Sequence, residues 1–90
     1  MKLKYEFVIN NVAGSSLAIP VGDGASDFKG YIKLNDTAAY IFKSIQKGKD
    51  REETVNGIMK DFTDVTKEQA EAAFDNFVNE LKAADVIEDD

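Results

Sequence analysis

The sequence predicts an α+β fold: a three-stranded antiparallel sheet followed by three helices. Two observations carry this. Apolar residues alternate up to about residue 35 and recur at helical spacing beyond it. Each helical stretch also opens on a residue that caps helices, namely Asn35, Asp50 and Thr66.

Leu3, Tyr5, Phe7 and Ile9 share one parity, with Lys2, Lys4 and Glu6 on the other. That is a half-buried strand over 3–9, punctuated by Asn10-Asn11 and Gly14-Ser15-Ser16. Leu17, Ile19 and Val21 alternate again and give a second strand over 17–21 with those residues inward. Pro20 cannot donate to a ladder, so its amide position should face outward or lie at a bulge. Residues 22–27 form a loop. A third strand over 28–34 places Phe28, Ile32 and Leu34 on one face and Lys29, Tyr31 and Lys33 on the other. Gly30 falls on the apolar face, where a missing side chain admits a close neighbour. Short connections favour a meander.

Helices are expected near 36–47, 51–62 and 67–84. In the first, Ala38, Ile41, Phe42 and Ile45 face one way and Gly48 follows the last turn as a C′ residue. In the second, Asp50 and Glu53 make a capping box, and Val55, Ile58, Met59 and Phe62 form the buried stripe. Gly57 either marks a tight helix contact or has no role. In the third, Thr66 and Gln69 make another capping box, and Val65 can staple onto Ala70. Its stripe of Ala70, Ala73, Phe74, Phe77, Val78, Leu81 and Ala84 is wide enough to touch the core and something else. Val86-Ile87 ends the ordered chain and Glu88-Asp89-Asp90 is a solvated tail.

Ninety residues are expected to form one domain, 1–90. With 43% apolar and 31% charged residues the composition is globular. There is no Cys, His or Trp. Thiolate nucleophiles, disulfides, Ser-His-Asp triads and ordinary zinc sites are thereby excluded. The expectation is a protein that is not an enzyme and uses no cofactor or metal. No apolar run approaches the ~20 residues of a transmembrane helix, and Met1 to Glu6 contain no signal-peptide core. A cytoplasmic location, with no membrane partner, is the default.

The net charge is −6. Residues 1–34 hold four basic and three acidic side chains, or +1; residues 35–90 hold seven basic and fourteen acidic, or −7. A nucleic-acid partner normally needs a basic docking element, and the helical half is acidic. The loop Gly22-Asp23-Gly24 with Ser26 and Asp27 lacks the alternate ligands and bidentate Glu of a calcium loop. The carboxylates of the last two helices read as a solvated face. Lys29 and Lys33 have two readings. They protect a sheet edge from aggregation, or they flank an edge left open for a peptide and choose acidic partners.

The segment Leu34-Asn35-Asp36-Thr37-Ala38-Ala39-Tyr40-Ile41-Phe42 resembles the PqqD-like family, small peptide chaperones also called RiPP recognition elements. The resemblance continues through Gly48, Asp50, Glu53, Val55, Phe62, Phe77-Val78, Leu81 and Val86-Ile87-Glu88, and upstream through Phe7-Val8-Ile9, Ile19 to Gly22 and Phe28. The sequence departs at Phe42, where the family often has Trp, and at Asp50, where it often has Ser or Thr. The resemblance implies a winged-helix-like domain. It also implies a non-catalytic chaperone that binds the leader of a ribosomally made precursor peptide. That chaperone presents the precursor to a modifying enzyme, often a radical S-adenosylmethionine maturase. The implied leader groove uses Phe28, Lys29, Gly30, Tyr31, Ile32, Lys33 and Leu34 of the third strand, against Ala73, Asn76, Phe77 and Glu80 of the third helix. Two alternatives stand beside it: a DNA-binding winged helix, and a structural subunit whose open edge is buried in a homodimer.

Overall fold

Two-residue alternation and helical capping do divide the chain where its period changes. The computed structural model describes residues 2–12, 14–22 and 30–88. Its elements are β1 (Lys2–Leu3), β2 (Glu6–Val12), β3 (Ser15–Val21), β4 (Ile32–Leu34), α1 (Asp36–Gln46), α2 (Arg51–Asp61), α3 (Lys67–Ala83) and β5 (Ile87–Glu88). The main sheet is antiparallel in the order β2-β3-β4. Phe7 lies opposite Pro20, Val8 opposite Ile19, and Ala18 sits between Ile9 and Ile32.

Register corrects the expected faces. Phe7, Ala18, Pro20 and Leu34 are buried and share the inner face. Leu17, Ile19 and Val21 therefore point outward, beside Val8 and Val12, which are 46% and 55% exposed. Alternating apolar residues alone cannot distinguish which of two apolar parities meets the helices; here small Ala18 and Pro20 are the ones the core admits. Pro20 lies beyond Ser16–Ala18, the stretch of β3 that β4 covers.

The expected first strand is broken. Its start, β1, leaves the main sheet and pairs instead with β5, Lys2 opposite Glu88 and Leu3 opposite Ile87. Lys4 N–H donates to the Val86 carbonyl at 2.9 Å and its ammonium pairs with Asp85. Ile87 and Glu88 thus form a strand paired with β1, where the sequence suggested an end of order and the start of a tail; Asp89 and Asp90 lie outside the described residues. At the other end, β2 runs through Asn10 and Asn11 because each finds a β3 partner, and the Ser16 hydroxyl donates to Asn11 Oδ1 at 2.6 Å. Gly14 occupies the hairpin turn.

The helices agree with their caps. Asn35 Oδ1 accepts from Ala38 N–H at 2.7 Å, and both capping boxes form. Gly48 has φ +80°, the left-handed conformation that closes α1. Ala39, Ile41, Phe42, Ile45, Val55, Ile58, Ala70, Phe74, Phe77, Val78, Leu81 and Val86 make the core together with Phe7, Ala18, Leu34 and Ile87 of the strands. Phe42 is its hub, with Phe7 edge-on at 5.3 Å and Phe77 at 6.4 Å. Met59 and Ala84, expected inside, are exposed. The buried face of α2 is centred on Thr54, Val55 and Ile58, which turns Met59 to its edge. Thr54 satisfies its buried hydroxyl on the Asp50 carbonyl at 2.8 Å. Gly57 is the tight helix contact: a Cβ there would meet Tyr40 Oη at 1.9 Å.

Candidate functional site

The sheet ends on β4, and among the described residues no strand pairs with its free edge. Beside that edge runs a groove of about 240 Å³ between β4, the first turn of α1 and α3. Its floor is Ala38 and Ile41 of α1 with Ala73 and Phe77 of α3. Its walls are Lys33, Asn35 and Thr37 on one side and Asn76 and Glu80 on the other. The local sequence explains the shape. Three-residue β4 runs almost directly into the Asn35 cap, so α1 starts against the sheet edge. Alanines at 38 and 73 keep the two helices from filling the space with side chains.

Lys33, Ala73, Asn76, Phe77 and Glu80 of the expected groove line this one space. Ile32 is half-buried on the inner face, and Leu34 is buried in the core. Tyr31 is 62% exposed on the approach to β4. Phe28 and Lys29 lie outside the described residues. Gly30 admits no close neighbour, since a Cβ there would meet nothing within 4 Å. Its glycine serves the backbone, which turns through φ +101° before β4. Phe77 is only 7% exposed and packs on Phe42, so its ring belongs to the core and only an edge reaches the groove. Asn35, Thr37, Ala38 and Ile41 were not expected to line it. Their signal lay in the Leu34 to Ala38 segment, which reads first as a strand end and a cap.

The charge around the groove is simple: Lys33 at its strand-side rim, on the outward face of β4, and Glu80 on the helix-side wall, both exposed. Two other carboxylates of α3, Glu71 and Asp75, have structural work. Arg51 Nε and Nη2 donate to both oxygens of Asp75 at 3.0 and 2.9 Å, and Nη1 donates to Glu71 at 3.4 Å. This fork ties the start of α2 to α3. The Arg51 hydrogen bonds hold the Asp75 carboxyl below the usual carboxylate range. Among the described residues, no group of three or more Asp or Glu side chains is placed to hold a metal ion. No described helix is long and apolar enough to cross a membrane.

A family model described as Coenzyme PQQ synthesis protein D (PqqD) matches residues 6–87. The chain belongs to the PqqD family. None of the curated proteins matches it. Two solved structures share the PqqD-family fold seen here. TbiB1 in complex with the TbiA(beta) leader peptide superposes with a TM-score of 0.73 at 20% identity, covering 98% of this chain and 95% of that one. Lasso peptide synthetase B1 complexed with the leader peptide gives a TM-score of 0.72 at 24% identity, covering 94% and 93%.

Proposed function

We propose that this PqqD-family chain is a non-catalytic peptide chaperone. It binds the leader of a ribosomally synthesised precursor peptide and presents the precursor to a modifying enzyme, a radical S-adenosylmethionine maturase. The observation that carries the reading is the free edge of β4 beside a groove floored by small apolar residues. That pairing is what strand addition requires. Backbone groups on the edge supply hydrogen bonds and register, while the groove takes every second side chain. Both solved structures of the same fold hold leader peptides, which supports the reading. The lack of any His or Cys agrees with an adaptor that performs no chemistry.

Ala73→Arg is the direct test. Ala73 is half-buried and on the groove floor, so a long side chain fills the groove without emptying the core. Phe77→Ala is unsuited, because deleting that core ring costs about 3–5 kcal/mol. In calorimetric titration with a synthetic leader segment of a candidate precursor peptide that binds the wild type, Ala73→Arg should weaken binding at least ~tenfold, or ~1.4 kcal/mol. Its melting temperature should stay near that of the wild type. Unchanged affinity in the folded variant would refute this groove as the peptide site.

A further inference from the structure

Resting on the peptide-binding reading of the groove, we infer that Lys33 and Glu80 select the peptide by charges on opposite parities. The ligand is an extended peptide with an acidic residue opposite Lys33. Its flanking residues, on the other parity, are small apolar side chains over Ala38 and Ala73 and a basic one at Glu80.

The pleat sets this pattern. Ile32 and Leu34 face inward and Lys33 outward, across from Leu17. A strand added to the free edge continues the same pleat. Its residue opposite Lys33 therefore also faces outward, with Cβ atoms ~4.5–5.5 Å apart, close enough for opposite charges to attract and like charges to repel. The residues on either side of it point the other way, into the groove. There they meet alanines and the tip of Ile41 on the floor and Glu80 on the α3 wall. Glu71 and Asp75 are held by Arg51, whereas among the described residues neither Glu80 nor Lys33 has an ion-pair partner. The rest of the molecule sharpens the choice. A chain of net charge −6 disfavours an acidic peptide as a whole. Among the described residues that line the groove Lys33 is the one cation, so an acid is favoured there and the peptide is neutral or cationic overall.

The test is selection from a phage-displayed library of random peptides about twelve residues long, enough for one strand with freedom of register. Selections run against the wild type, Lys33→Glu and Glu80→Lys, each checked for an unchanged melting temperature; both positions are exposed. Wild-type binders should show an acid on one parity and apolar plus basic residues on the other. Lys33→Glu should weaken the best binder about three- to tenfold, and exchanging the peptide's acid for Lys should restore it. Glu80→Lys should remove the basic preference and leave the acid. Binders whose affinity changes less than about twofold in both variants would overturn the charge selection while leaving peptide binding intact. A wild-type selection that enriches no peptide would overturn the peptide-binding reading itself, and this inference with it.

Discussion

Tyr40 shows how one residue fixes a helix contact. Its ring is edge-on to Phe62 at 5.9 Å, and its hydroxyl end occupies the space where Gly57 lacks a side chain. Burial and the nearby Asp61 charge raise its phenol pKa. A mid-helix Gly normally costs about 1 kcal/mol relative to Ala, so an isolated helix would gain from Gly57→Ala. Here the added methyl would overlap the ring as well as the hydroxyl, and overpacking, which costs about 1–3 kcal/mol, should outweigh that gain. Urea denaturation should show a loss, part of which Tyr40→Phe recovers in the same background. A net gain would mean the two helices are not this close. Asp75 makes a second residue-scale prediction. Its folded pKa lies below its unfolded value because of Arg51. Its stabilisation is therefore present above about pH 4 and is lost as pH falls through the lower folded value. The stability difference between wild type and Asp75→Asn should be larger near pH 6 than near pH 2.5, and small throughout because the pair is exposed. Equal differences at both pH values would contradict the ion pair.

Helices start here where side chains close the first turn. Asp50 accepts from Glu53 N–H at 2.8 Å and Glu53 Oε1 accepts from Asp50 N–H at 3.4 Å. Asp50 also follows closely on Lys47 and Gly48, which close α1, so one short connection ends one helix and starts the next. Asp50→Ala should cost about 1 kcal/mol, read as a lower urea midpoint at unchanged slope. No loss would mean the turn is closed by other groups. The strands are less self-sufficient. β4 has three residues and β1 and β5 two each, too short to persist without the helices beneath them and the opposite chain end beside them.

At the scale of the whole molecule, charge decides between partners. The strand half carries +1 and the helical half −7. A winged helix that reads DNA docks a cationic helix. In α3, Lys67 and Lys82 stand against Glu68, Glu71, Asp75 and Glu80. The isolated protein should therefore show no appreciable affinity for duplex DNA at physiological salt. Salt-sensitive, sequence-selective retardation of DNA in a gel would contradict this and favour the DNA-binding reading.

The sequence by itself determined the α+β order, the three helices and all three caps, because capping and periodicity are local and need no distant partner. It also held five groove residues, Lys33, Ala73, Asn76, Phe77 and Glu80, through the family resemblance. Tertiary structure decided three other matters. It turned Leu17, Ile19 and Val21 outward, since two apolar parities look alike until helices choose one. It drew Leu3 away to Ile87, a pairing between residues at opposite ends of the chain that no local pattern announces. It added Asn35, Thr37, Ala38 and Ile41 to the groove, because a groove is the gap left between elements, and only their packing fixes its width.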